Sequence, residues 1–235
     1  MSLNHADLSL PDGFANIVRL FPLPNVVLFP GVVQALHLFE PRYRVLMDDA
    51  LAADELITMA YLKPDSVPTE AVDGQPEISK IVCVGKILSH TLLDDGRYNV
   101  FLVGTKRAAI VKELSIETPY RMAEVLILDD TVKNRDKIDR LRVEIVSKFR
   151  KLATLRSDWN AEAMDQFIDE DLSFGQLVDM ICYACGASPA QQQLVLETPE
   201  LGQRGEIVLR LLDEQIQLRS TEPAKQDFPP GFSLN

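Results

Sequence analysis

Between Leu20 and Gly31 the chain reads Leu-Phe-Pro-Leu-Pro-Asn-Val-Val-Leu-Phe-Pro-Gly, an apolar run broken by three prolines. Proline holds φ near about −65° and cannot donate to a sheet ladder, so it is confined to strand ends, edges and turns. A run this apolar and this often interrupted cannot be one interior strand or a helix. It predicts a buried connector with a fixed path, leaving a first strand at Ile17–Leu20 and feeding a second at Val32–Phe39. Local composition alone does not separate that reading from an ordinary apolar loop.

The surrounding grammar is mostly that of strands. Glu40-Pro41 opens a helix, proline being tolerated in the first turn. Tyr43, Leu46, Met47, Ala50 and Leu51 then recur at i, i+3, i+4, i+7, i+8. Leu56–Leu62 reads as a strand, and Lys63 to Ser79, with Pro64, Pro68, Gly74 and Pro76, as a long exposed loop. Ile81–Leu88 and Tyr98–Val103 flank Asp94-Asp95-Gly96, a strong hairpin signal. Gly104 is expected to end the second of these strands, with Arg107–Leu114 and Tyr120–Leu128 following as two more. Such a set predicts a small, partly closed β-barrel with one inserted helix.

At about Asp129 the period changes. Ile138, Leu141, Ile145, Phe149 and Leu152 share one helical stripe. Ser173-Phe174-Gly175-Gln176 and Ser188-Pro189-Ala190-Gln191 are capping-box patterns. Thr198-Pro199-Glu200 is expected to start a last helix with Leu201, Val208, Leu211 and Leu212 on its apolar face. The fold class is therefore α+β: a flexible arm (1–15), a β-barrel domain (16–130), a helical domain (131–220) and an extended tail (221–235).

Charge and motif content narrow the function. The net charge of −11 argues against a general nucleic-acid binder, which needs clustered Lys and Arg. No apolar stretch approaches the ~20 residues of a membrane span, and residues 1–15 lack the basic start and apolar core of a signal peptide, so a cytoplasmic location is expected. Three cysteines make no disulfide framework, and Cys182/Cys185 form a lone CxxC inside an apolar helical pattern, read as two core thiols rather than a redox pair. Neither a phosphate-binding loop nor GxSxG nor HExxH occurs. His5, His37 and His90 lie far apart and read as surface residues. Asp169-Glu170-Asp171 lacks the glycine and terminal glutamate of a calcium loop. No catalytic set, metal site or cofactor is expected.

One charge asymmetry stands out. Residues 133–156 hold nine Lys or Arg against three Asp or Glu, a net of +6, and residues 157–179 hold seven acids and no base. The basic positions Lys137, Arg140, Lys148 and Lys151 read as a solvated face laced with i,i+4 pairs such as Asp136–Arg140 and Glu144–Lys148. The alternatives are docking against the acidic segment or a basic strip for a partner.

Taken in order, several blocks resemble the substrate-binding N-terminal domain of the Lon protease family. They are Phe21-Pro22-Leu23-Pro24-Asn25-Val26-Val27-Leu28-Phe29-Pro30-Gly31, Gly85-Lys86-Ile87, Asp95-Gly96-Arg97-Tyr98-Asn99-Val100, Val103-Gly104-Thr105-Lys106-Arg107-Ala108, Tyr120-Arg121-Met122-Ala123-Glu124-Val125 and Gln191-Gln192-Gln193-Leu194-Val195-Leu196-Glu197-Thr198. The resemblance runs from about residue 15 to 220 and implies a PUA-like barrel, a following helical bundle and a role in binding polypeptide. The sequence stops before an ATPase or serine–lysine peptidase domain could begin, so a stand-alone, non-enzymatic module is expected, an adaptor or substrate-recognition protein in proteolysis. The binding residues nominated on this basis are Phe39, Tyr43, Tyr98 and Tyr120, with Arg97 and Arg121 as polar contacts. RNA binding is the alternative, because PUA-like barrels elsewhere bind RNA and the strip at 133–156 is basic.

Overall fold

A computed structural model describes residues 9–63, 76–156, 168 and 172–221. Its strands are β1 (Ile17–Leu23), β2 (Val33–Leu38), β3 (Leu56–Tyr61), β4 (Ile81–Leu92), β5 (Tyr98–Leu114) and β6 (Arg121–Leu128). Its helices are α1 (Pro41–Leu51), α2 (Arg135–Thr154), α3 (Phe174–Ala184), α4 (Pro189–Leu196) and α5 (Leu201–Thr221). The strands run in the order β2-β5-β4-β3-β1-β6, and β5 also pairs with β6. That last pairing closes β5-β4-β3-β1-β6 into a ring and leaves β2 as an extension on one side. β1 and β3 are parallel; the remaining pairs are antiparallel. The expected α+β class with a partly closed barrel and helices following it is what the chain forms.

Closure depends on β5, and here the expectation changes. Gly104 does not end a strand: β5 is continuous over 17 residues, pairing with β2 through Tyr98–Val103 and with β6 through Arg107–Leu114. The glycine is needed for a close approach. A Cβ on Gly104 would sit 2.0 Å from the Phe29 carbonyl oxygen. Gly31 N–H donates to Gly104 O at 2.8 Å, and Gly104 N–H donates to Val32 O at 2.9 Å. The proline-rich connector is thus bolted to the barrel at the point where β5 changes partners. Gly31 itself takes φ +80°, a left-handed conformation suited to glycine.

Further boundaries move. β1 extends three residues beyond Leu20, through Pro22. Leu62 N–H donates to the Leu23 carbonyl at 3.0 Å, so Leu23 faces β3 and, by alternation, Pro22 faces the other side. Pairing with β6 has already stopped at Leu20 on that side, so the missing N–H of Pro22 leaves no ladder bond unmade. The loop expected at 63–79 lies outside the described residues over 64–75. Its exit is not exposed: Ile78 and Ser79 are buried, and Ser79 N–H donates to Tyr61 O. The last helix begins at Leu201, with Glu200 acting as its cap by accepting from Gly202 and Gln203 N–H.

The barrel interior holds Val18, Leu20, Leu56, Val82, Val84, Ala108, Ala123 and Val125. A larger cluster runs from Phe21, Phe29, Leu46, Met47 and Leu102 on the barrel side to Ile145, Phe149, Val178 and Leu212 in the helices. Each buried Val, Leu, Ile, Met or Phe among them contributes roughly 1.5–3 kcal/mol. Both capping boxes form as read, at Ser173/Gln176 and Ser188/Gln191. Cys182 and Cys185 are free, buried thiols in this core, and burial raises both, Cys185 to about 11. They are core residues, as expected.

Where helices meet barrel, a charged cluster has three buried members, Arg107, Asp179 and Arg204, and one at the surface, Asp130. Arg107 on β5 donates to Asp179 at 2.5 Å and to the Leu196 carbonyl at 3.1 Å. Arg204, fully buried, donates to Asp130 and to the Thr198 carbonyl. Burial raises the Asp179 carboxyl, opposed by the Arg107 and Arg204 guanidiniums around it. Two arginines are balanced by the buried Asp179 and the solvent-facing Asp130, so neither guanidinium is left without a carboxylate, the arrangement that makes buried charge tolerable.

Candidate polypeptide-binding surface

α1 begins at the end of β2, and this junction carries the most exposed aromatic group of the nominated set. Phe39 is 60% exposed, between Leu38 at the end of β2 and the Glu40-Pro41 start of α1. Its neighbour in space is His37, the rings 6.2 Å apart and stacked. Tyr43, one turn into α1, is buried with its ring edge-on to Phe21 at 4.4 Å and the Arg42 guanidinium 4.5 Å over its face. Burial raises its phenol. Phe39 and Tyr43 line a groove of about 180 Å³ between β2 and Leu23–Val26, whose other walls include Phe21, Leu36 and Leu38. That volume is below the ~300–1,000 Å³ of a small-molecule site and suits one or two side chains.

The other nominated residues fall differently. Tyr98 donates its hydroxyl to Asp48 at 2.6 Å, and Tyr120 donates to Asp49 at 2.6 Å. These two tyrosines clamp α1 to the barrel from β5 and from the start of β6. The hydrogen bond to Asp48 raises Tyr98, and burial with the Asp49 bond raises Tyr120 to about 12. Arg97 donates to Asp95 at 2.6 Å and reaches His37 Nε2 at 3.2 Å, which puts it beside the groove without entering it. Arg121 is held bidentate by Glu113 and donates to the Pro76 carbonyl.

Tyr43 also lines a second, wider cleft of about 820 Å³, together with Tyr120, Arg121, Pro22, Arg42 and residues 110, 111 and 113–119. Tyr43 is the wall between the two concavities. The cleft is large enough for a small ligand, but its fixed polar groups are turned on one another: Arg121 on Glu113, Tyr120 on Asp49, Arg42 on Glu40. The structure therefore brings Phe39 and Tyr43 together in one groove, with Arg97 near it, and spends Tyr98, Tyr120 and Arg121 on other bonds. Leu23, Val26 and Leu36, which complete the groove, carried no sequence signal beyond being apolar.

Chemistry is sparse. His37 Nδ1 meets Asn99 Oδ1 at 2.7 Å, and His90 lies 6.2 Å from the Tyr98 ring; neither described histidine bonds a hydroxyl, thiol or carboxylate. His5 lies outside the described residues. Among the described residues no His, Cys, Asp and Glu grouping suits a metal ion, and no helix is long and apolar enough to cross a membrane. The basic face of α2 is largely occupied: Lys137 pairs with Glu206 and Lys148 with Asp213, both on α5, while Arg140 bonds the Asp136 carbonyl rather than its carboxylate. The Glu144–Lys148 pair forms, at 3.9 Å. The acids that dock α2 thus come from α5. Most of the acidic segment after it, Asp169-Glu170-Asp171 included, lies outside the described residues.

Comparison with known proteins gives one consistent answer. The chain is 23% identical over 217 residues to a Lon protease of Dictyoglomus thermophilum, covering 92% of this chain and 26% of that protein. It is 26% identical over 208 residues to Lon protease 2 of Desulfotalea psychrophila, covering 88% and 26%. The chain spans about a quarter of the length of these relatives. In structure it resembles the N-terminal domain of the Mycobacterium avium complex Lon protease, with TM-score 0.67 and 19% identity over 84% of this chain and 98% of that one. A Lon N-terminal domain protein from Xanthomonas campestris aligns with TM-score 0.55 and 19% identity, covering 88% and 99%. Residues 17–214 match the family described as the ATP-dependent protease La (LON) substrate-binding domain, and the chain belongs to that family.

Proposed function

We propose that this chain is a non-enzymatic polypeptide-binding module that recognises apolar segments of unfolded or partner proteins at the Phe39–Tyr43 groove, and that it serves as an adaptor or recognition protein in proteolysis. The observation that carries the reading is Phe39, a large aromatic side chain 60% exposed at the mouth of an apolar groove. An exposed aromatic ring continuous with an apolar groove, rather than a lone exposed side chain, is the kind of surface that protein interfaces use. Membership of a substrate-binding family supports polypeptide as the ligand. The RNA alternative gains nothing from α2, whose Lys137 and Lys148 are engaged by α5.

The test is titration with a reduced, carboxymethylated polypeptide followed by fluorescence anisotropy. Phe39→Ala should weaken binding about tenfold, the range of an aromatic hot spot, and leave thermal stability nearly unchanged because the ring is exposed. Absence of binding by the unaltered protein, or an unchanged affinity in Phe39→Ala, would overturn the reading.

A further inference from the structure

We infer that the groove takes its polypeptide as an added β-strand on the free edge of β2, with apolar side chains seated alternately on the two sides of the sheet. This rests on the polypeptide-binding reading and specifies its mode. Among the described residues β2 is the terminal strand of the sheet on its side and pairs only with β5. Gly104 N–H donates to the Val32 carbonyl, so Val32 faces β5 and, by alternation, so do Gln34, Leu36 and Leu38. The backbone groups of Val33, Ala35 and His37 therefore face away. Two side-chain observations agree. The Ala35 carbonyl accepts from its neighbour Gln34 Nε2 at 2.8 Å, as an outward-facing carbonyl can. His37 and Asn99, opposite each other across the pair, bring their side chains to 2.7 Å, as expected where the backbones do not bond directly.

Val33, Ala35 and His37 present outward N–H groups repeating every ~7 Å, a pattern matched by another extended backbone. Of their carbonyls, that of Ala35 already accepts from Gln34 Nε2, whose Oε1 accepts from the Tyr183 hydroxyl at 3.0 Å, and an added strand displaces this side chain or shares the carbonyl with it. The devices that usually block an edge, a lysine, a proline or a bulge, are absent from Val33–Leu38. The flanks define the occupant. The side chains of β2 alternate, Leu36 and Leu38 turned to the core face, where they line the groove with Leu23, Val26 and Tyr43. Ala35 is turned to the other face beside Phe101, which is 51% exposed and opposite it in register; Phe39 stands at the end of the strand. Nearby charges are paired, Glu40 with Arg42 and Asp95 with Arg97, so neither sign of charge is selected. The occupant is an extended segment with apolar residues at successive positions. The chain's own ends are poor candidates. Residues after Thr221 include Pro223, Pro229 and Pro230, which interrupt the N–H series an edge requires, and Leu10 and Phe14 lead the amino end onto the barrel-interior cluster.

The probe is a fluorescein-labelled nine-residue peptide alternating phenylalanine and valine between terminal lysines, with two versions N-methylated at odd or at even positions. All side chains are kept, and only alternate N–H donors are lost. One methylated version should lose at least about tenfold in affinity while the other stays within about threefold of the parent. Ala35→Pro should match the larger loss and Ala35→Gly, which keeps the N–H, should not; cooperative thermal unfolding of each variant shows that the fold is kept. Equal affinity of both methylated peptides, or equal loss in both, would overturn the inference while binding of carboxymethylated polypeptide would leave the broader reading standing. Failure of the peptide and that polypeptide alike would overturn both. Self-association abolished by Ala35→Pro would assign the edge to a second copy and overturn the inference as well.

Discussion

At the scale of single residues, Gly104 governs the geometry of the barrel. Its Cα lies against the Phe29 carbonyl, so even a methyl group displaces backbone rather than a flexible side chain. Gly104→Ala should therefore lower stability by about 3 kcal/mol, at the upper end of overpacking costs. Gly31→Ala meets open space and violates only a positive φ, which should cost about 1–2 kcal/mol. Urea unfolding measures both; equal losses would mean that the connector does not dock where the fold places it. The opposite lesson comes from Asp95-Gly96. That turn was legible because its chemistry is local: Gly96 sits at φ +79° and its N–H donates to Leu93 O. Gly104 looked like a strand breaker because its partner is 75 positions earlier in the chain.

At the scale of elements, α1 is held as well as packed. Tyr98 and Tyr120 grip Asp48 and Asp49, on the exposed side of the same helix whose Leu46, Met47 and Ala50 enter the core. The apolar face of α1 was readable from its spacing; the clamp was not, because it joins residues 50 and 71 positions apart. The clamp has a pH signature. Tyr43, Tyr98 and Tyr120 are all raised above the ordinary tyrosine value of about 10, Tyr120 to about 12. The folded state thus holds these protons more tightly than the unfolded chain does. Their contribution is complete below pH ~10 and is lost as pH rises through the folded values. Absorbance at 295 nm should show these three phenols ionising late, with stability falling over the same interval. Asp48→Asn should return Tyr98 toward the ordinary range; Tyr98 and Tyr120 titrating near ~10 in the unaltered protein would contradict the clamp.

At the scale of the whole molecule, one hydrophobic cluster and one charge cluster join barrel to helices, with buried Arg107, Asp179 and Arg204 and surface Asp130 drawn from four separate stretches. The helical half was readable from its caps and its period, because those signals lie within a few residues. Asp179 was not: in sequence it counts with the acids of 157–179, and only the fold encloses it. The candidate site divides in the same way. Phe39 and Tyr43 stood out as aromatics, but the groove between them requires Leu23 and Val26, brought there by the proline-rich connector, and the free edge of β2 is a property of sheet order. The most direct test is hydrogen exchange of the protein with and without saturating reduced, carboxymethylated polypeptide. Exchange should slow across Val33–Tyr43, at the edge of β2 and the start of α1. Protection confined to α2 and α5, or no change anywhere, would contradict the assignment of this surface as the polypeptide site.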